Sequence, residues 1–297
     1  MKLSNYIGNT PLIPIKFDNS TVWGKAELMN PGGSVKDRMA AFILNNAEKQ
    51  GLIASGDTLI EATSGNTGIS FAMLAAERGY KMIIVMPCNM SEERKKIFKF
   101  YGAELIEVNE GDFDNAILLR DQMAEKHGYF NCNQFHNPLN IQAHYEATGP
   151  EIYQQFTISN HPHQSNTPDA LILGTGTGGT IMGTGKYLRE QWPDIKVIAV
   201  EPAESPVMSG GESGLHGIQG IGDGSKFLVD LNFVDEVVTV STADASEFAK
   251  QLATRGFFVG ISAGANVLAA KRWLNDNNMK NAITVLCDRG ERYFSCL

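Results

Sequence analysis

The 297-residue chain reads as an α/β protein built on mostly parallel, twisted sheets. Three observations predict this. Short continuous apolar runs alternate with amphipathic runs of helical length. Several of the apolar runs, such as 82–86 and 170–173, are unbroken by polar residues, as in strands covered on both faces. Glycine-rich turns follow several of them and open the next helical run, which is where open α/β sheets bind ligands.

Taken in order, Met39 to Ala47 is an apolar helical run behind the turn Pro31-Gly32-Gly33. Residues 58–62 predict a strand and 65–78 a helix. A continuous apolar strand follows at 81–86. The spacing then predicts a helix over 91–101, with Ser91 as N-cap and Glu92 and Glu93 in its first turn. A strand at 103–108 and helices at 112–127 and 140–156 come next. The second run comprises a strand at 170–173, a helix at 180–191, strands at 196–200 and 234–240, helices at 243–255 and 263–275, and a last strand at 282–286. The two βα runs, about 55–130 and 168–290, each suffice for one sheet. The polar stretch Thr157 to Pro168 reads as an exposed loop. Ser205 to Lys226 is glycine-rich and aperiodic, and a loop that long in a compact enzyme is usually functional.

The net charge of -8 argues against nucleic-acid binding and for a soluble cytoplasmic enzyme. Residues 1–9 lack signal architecture, and no apolar run approaches the ~20 residues of a membrane span. The four cysteines are Cys88, Cys132, Cys287 and Cys296; they form no CxxC, which speaks against a disulfide framework or a zinc site. Cys287 reads as a buried strand residue. The pair His161 and His163 lacks further metal ligands.

Three loops carry the chemistry. Asn30-Pro31-Gly32-Gly33-Ser34-Val35-Lys36 sets a single lysine between a rigid turn and a helix. Gly174-Thr175-Gly176-Thr177-Gly178-Gly179-Thr180 follows a strand and opens a helix, so bare N–H groups and the helix dipole suit a phosphate. Thr63-Ser64-Gly65-Asn66-Thr67 has the same placement and suits a carboxylate, or else serves as an N-cap turn through Ser64 or Asn66. One amine, one carboxylate loop and one phosphate loop together make a pyridoxal phosphate (PLP) site. Gly174, Gly176 and Gly179 also satisfy GxGxxG with Glu201 about 20 residues on, so an NAD-dependent dehydrogenase is the competing reading. It gives Lys36 and the second loop no task. A third turn, Gly260-Ile261-Ser262-Ala263-Gly264, places Ser262 as an N-cap or a ligand to a bound group.

Together with Ile7 to Leu12, Asn133-Gln134-Phe135, Thr148 to Ile152 and Gln219 to Gly222, these segments resemble the fold-type II PLP enzymes, and within them the cysteine synthases (O-acetylserine sulfhydrylases). The resemblance implies two three-layer α/β/α domains like the tryptophan synthase β fold. The larger, holding the PLP phosphate, would comprise 1–36 and 143–297. The smaller, 37–142, would carry the carboxylate loop.

It also implies that Lys36 forms a Schiff base with PLP and is the base for the Cα proton. Gly176, Thr177, Gly178, Gly179 and Thr180 would hold the phosphate, Asn66 the ring hydroxyl and Ser262 the pyridine nitrogen. Thr63, Ser64, Gly65, Thr67 and Gln134 would take the substrate carboxylate. The activity implied is replacement of the acetoxy group of O-acetyl-L-serine by sulfide or thiosulfate through an α-aminoacrylate, giving L-cysteine and acetate. A homodimer is implied, with a serine acetyltransferase tail as a further partner and neither nucleic acid nor membrane.

Glu61 to Ser64 and Cys287 to Tyr293 are similar to the B-type enzyme, whereas Gly176 to Thr180 and His216 to Gly222 are similar to the A-type. Cystathionine β-synthase-like, O-phosphoserine-using and inactive-paralogue readings share these motifs.

Overall fold

The computed structural model describes residues 2–89, 91–159, 167–222 and 225–294. His161, His163 and Cys296 lie outside these. In chain order, the strands β1 (Leu12–Lys16) and β2 (Thr21–Lys25) precede α1 (Lys36–Lys49), β3 (Thr58–Ala62), α2 (Asn66–Arg78) and β4 (Lys81–Pro87). Then come α3 (Glu92–Phe100), β5 (Glu104–Val108), α4 (Phe113–His127), β6 (Phe130–Asn131) and α5 (Leu139–Ala143). A single π-helical turn, His144–Thr148, leads into α6 (Gly149–Ser159). The chain continues through β7 (Ala170–Gly174), α7 (Gly179–Gln191), β8 (Lys196–Pro202), β9 (Glu236–Val240), α8 (Thr242–Thr254), α9 (Ile261–Asp276) and β10 (Asn281–Val285).

The chain divides into two compact units, Met1–Ile7 with Asn30–Asn140, and Gly8–Met29 with Ile141–Leu297. The lysine turn Asn30–Lys36, expected with the larger domain, lies in the first unit. This unit holds a four-stranded parallel sheet in the order β5-β4-β3-β6. Ala116 of α4 packs on Ile60, Ala62, Ile83 and Val85, the alternate residues of the two central strands. Ser91 caps α3 as its sequence predicts, accepting the Arg94 N–H at 3.4 Å.

The second unit holds a six-stranded sheet in the order β1-β2-β10-β7-β8-β9. Its pairs are parallel except for β1 with β2. That antiparallel hairpin is absent from the sequence expectations: Pro14 interrupts its apolar pattern and removes a donor, which only an edge strand tolerates. Ile172, Ile198 and Val200 of the central strands bury against Val267, Ala270 and Leu274 of α9.

Each sheet has one topological switch point. In the first unit the chain runs β3, β4, β5 to one side and returns to β6 on the other. In the second it runs β7, β8, β9 outward and returns to β10. The crevices at the carboxyl ends of β3/β6 and β7/β10 are therefore the expected ligand sites of the two sheets. Two local expectations need correction. Residues 157–159 are helical, because α6 extends to Ser159. Cys287 is only half-buried and sits beyond the end of β10, which stops at Val285. Among the described residues no helix or strand interrupts Ser205 to Lys226, as the glycine-rich composition predicts.

Candidate active site

Lys36 is the first residue of α1 and is half-buried. Its neighbour Asp37 organises the turn before it. The buried Asp37 carboxylate accepts the Gly32 N–H at 2.5 Å and the Ser70 hydroxyl at 2.5 Å. A Cβ on Gly32 would meet Asp37 Oδ1 at 2.4 Å, so only glycine lets the chain pass this carboxylate. Asn30 Nδ2 donates to the Ser34 carbonyl at 3.1 Å and closes the turn from the other side. The lysine thus starts from a backbone fixed by charge-assisted bonds. Ser70 lies one helical turn after Asn66, so Asp37 also sets the start of α1 against the start of α2.

The second loop emerges from β3 at the first switch point. Gly65, not Ser64 or Asn66, is the N-cap of α2, with no side-chain cap bond. Neither polar side chain is therefore used as a cap. Among the described residues no protein acceptor faces the N–H of Ser64 or Thr67. These donors, at a helix N-terminus, form a cradle for an anion.

Gln134 emerges after β6 and closes the other side of the crevice. Its Oε1 accepts the Thr67 hydroxyl at 2.6 Å, and its Nε2 donates to the Ala62 carbonyl at 3.3 Å. Its own N–H donates to Glu61 Oε2 at 3.0 Å. Glu61 is fully buried and paired with buried Arg120 at 2.9 Å. Burial pushes the Glu61 carboxyl up, opposed by the Arg120 guanidinium and the Gln134 and Ala62 N–H groups. Burial, reinforced by Glu61, also pushes the Cys132 thiol well up, away from the thiolate form that a reactive cysteine needs.

The glycine loop leaves β7 at the second switch point. Gly178 is the N-cap of α7 at φ 88°. A Cβ there would meet Val229 Cγ2 at 2.6 Å and the Val229 nitrogen at 2.9 Å. Among the described residues no protein acceptor faces the N–H of Gly176 or Gly178. Thr180 Oγ1 lies 3.2 Å from His144 Nε2, and His144 Nδ1 lies 2.8 Å from Thr148 Oγ1. The π-turn thus brings a buried histidine behind the loop, a use typical of such turns. Asn266 ties the two sides of this crevice together: its Oδ1 accepts the Gly174 N–H at 2.7 Å and its Nδ2 donates to the Val285 carbonyl at 2.9 Å. Ser262 is the second residue of α9, whose N-cap is Gly260. It is 4% exposed, and among the described residues no protein group hydrogen-bonds its hydroxyl.

Glu201 decides against the dinucleotide reading. That fingerprint needs an acidic side chain presented to a ribose. The Glu201 carboxylate is 1% exposed and already accepts the Met208 N–H at 2.7 Å, the Ser209 N–H at 2.9 Å and the Ser209 hydroxyl at 2.5 Å.

The family described as pyridoxal-phosphate dependent enzyme matches residues 3–288. The chain belongs to this family. Its cofactor is pyridoxal phosphate, and each unit holds groups whose chemistry suits it: the second has N–H groups in a glycine cradle and the buried Ser262 hydroxyl, and the first has a lysine on a fixed turn. Cysteine synthase of Staphylococcus aureus is 41% identical, over 99% of this chain and 95% of its own length. Cysteine synthase B of Campylobacter jejuni is 42% identical, over 99% of this chain and 97% of its own. Among solved structures, a hydrogen sulfide-producing enzyme of Fusobacterium nucleatum is similar with TM-score 0.91 and 39% identity, covering 98% of this chain and 99% of that one. Among the described residues no helix is long and apolar enough to cross a membrane.

Lys36, Thr63, Ser64, Gly65, Asn66, Thr67 and Gln134 all belong to the first unit, and Gly176 to Thr180 with Ser262 to the second. Sequence reasoning missed Asp37, Glu61, Arg120, His144 and Asn266. Their signal was available only as polar residues inside apolar or helical runs.

Proposed function

We propose that this enzyme is a cysteine synthase, replacing the acetoxy group of O-acetyl-L-serine by sulfide to give L-cysteine and acetate. The observation that carries the reading is the anion cradle at Ser64 and Thr67, closed by Gln134, in the same unit as Lys36. An α-amino acid presents a carboxylate beside its amine, and this unit offers a receptor for the first next to a nucleophile exchangeable with the second. The curated relatives at 41% and 42% identity support the substrate pair.

Lys36 holds the cofactor before substrate arrives. Gly176, Thr177, Gly178, Gly179 and Thr180 receive its phosphate, with Thr180 oriented by His144. Asn66 meets the ring hydroxyl, and Ser262 meets the ring nitrogen as a neutral partner. Thr63, Ser64, Gly65, Thr67 and Gln134 grip the substrate carboxylate and so fix the Cα–H bond relative to Lys36. Bound PLP supplies an electron sink for the pair left at Cα, which lets acetate depart from Cβ. Lys36 Nζ takes the Cα proton and returns it once the sulfur has bonded to Cβ. Because Ser262 carries no charge, it adds no proton at the ring nitrogen, which favours elimination over transamination.

The similarity to a hydrogen sulfide-producing enzyme favours a second reading, in which the same residues release sulfide from L-cysteine. One assay separates the two. Purified protein is given O-acetyl-L-serine with sulfide while cysteine is measured, or with thiosulfate while S-sulfocysteine is measured, and separately L-cysteine alone while sulfide is measured. Faster cysteine formation supports the synthase, whereas sulfide release without cysteine formation overturns it. Lys36→Ala should abolish both reactions and the borohydride-fixed cofactor label on its peptide. Size-exclusion chromatography with light scattering tests the homodimer that we propose alongside.

A further inference from the structure

Glu61 is a carboxylate in a strand whose remaining residues are apolar or paired, and it is 0% exposed. Burying an ion pair is a poor way to gain stability, because desolvation offsets the attraction. Its placement suggests another use. Glu61 Oε1 accepts Arg120 Nη1 at 2.9 Å and the Ala62 N–H at 2.8 Å. That leaves Oε2 for the Gln134 N–H at 3.0 Å. Asp121 fixes the other edge of the guanidinium, with Oδ1 2.9 Å from Arg120 Nε and 2.8 Å from Nη2. Arg120 therefore cannot swing, and neither can the carboxylate it holds.

The residue so anchored follows Asn133, whose φ of 50° is a costly conformation for a side-chain-bearing residue. A strained segment stays in place only if its neighbours are pinned. Asn140 Nδ2 holds the Gln134 carbonyl at 2.9 Å, and Glu61 holds its N–H. The amide side chain, bonded to Thr67 and Ala62, keeps one N–H for the crevice.

We propose that Glu61, set by Arg120, is a positioning residue for substrate-carboxylate recognition: it fixes the backbone of Gln134 so that its amide and the Thr67 cradle converge on one carboxylate. This inference rests on the carboxylate role assigned above to Thr67 and Gln134.

The test compares two ligands that differ only in the carboxylate, L-serine and ethanolamine, by calorimetric titration of the holoenzyme. In Glu61→Gln the charge-assisted acceptor becomes neutral, and L-serine affinity falls about tenfold. Ethanolamine affinity changes by less than about twofold, and KM for O-acetyl-L-serine rises about tenfold with kcat little changed. Glu61→Gln leaves Arg120 buried without its partner, so Glu61→Gln/Arg120→Met, which removes both charges, is measured beside it and shows the same selective loss. Equal losses for both ligands, or none for either, overturn the proposal and leave the pair a purely structural one. Failure of the wild-type holoenzyme to bind L-serine or convert O-acetyl-L-serine overturns the functional reading itself, and this inference with it.

Discussion

The Ser70 hydroxyl donates to Asp37 at 2.5 Å, and through it the first turn of α1, with Lys36, is registered against the first turn of α2, with Asn66. Ser70 Oγ also lies 3.0 Å from the Asn66 carbonyl, but its single proton goes to the carboxylate, the nearer and charged acceptor. The lysine's origin and the start of the carboxylate loop's helix are thus one construction.

Asp37→Ala should therefore lower stability by about 2–4 kcal/mol, since it orphans the buried Gly32 N–H and Ser70 hydroxyl. Urea unfolding checks this. Asp37→Asn should recover part of the loss, because its amide oxygen can serve one donor while its NH2 opposes the other.

Gly178→Ala should weaken cofactor binding at least about tenfold. At φ 88° a Cβ is strained, and it would press on the Val229 nitrogen 2.9 Å away, so the loop must shift and its N–H groups lose their aim. Equilibrium dialysis of the apoprotein against pyridoxal phosphate measures the change.

Asn266→Ala should destabilise the protein by about 2–3 kcal/mol and also weaken cofactor binding. It leaves the Gly174 N–H and the Val285 carbonyl unmatched at the switch point of the six-stranded sheet. Thermal unfolding of apo and holo forms separates the two effects: a purely structural role lowers both midpoints equally.

Tyr80 should govern part of the alkaline limb of stability. Burial, with the hydrogen bond to Glu48, pushes its hydroxyl up to about 12. In the unfolded chain the proton leaves near pH ~10. The native advantage is complete below that value and disappears as pH rises from about 10 to about 12. Tyr80→Phe should flatten the decline of unfolding free energy across this window, as measured by urea titrations at a series of pH values.

Most of the parallel strands, the Ser91 cap and the positions of the three loops were legible because each rests on local signals. The apolar runs of β3, β4 and β7 have no helical period, and Ser91 precedes two acids at the start of α3. The hairpin of β1 and β2 was not legible, since Pro14 reads as a break until a partner strand is seen. Asp37 reads as an ordinary acid in a helix's first turn, yet it faces inward to Gly32. Glu61 is an acid within a strand that the pattern covers on both faces, and only Arg120, 59 residues away, explains its burial. The π-turn at His144–Thr148 lies within a segment that predicts unbroken helix. The supports of the site are thus long-range polar pairings, which no spacing rule exposes, while the groups assigned to ligand, Gln134 apart, sit in turns whose glycines announce them.

Pro14 has one more effect. It lies in the middle of β1, the outermost strand of its sheet, where an approaching strand would look for a donor and find a ring. Lys16 adds a charge two residues on. Growth of this sheet into a shared, intermolecular one is hindered at that border. The same device protects the folding chain from fibrous self-assembly while the six strands are being gathered.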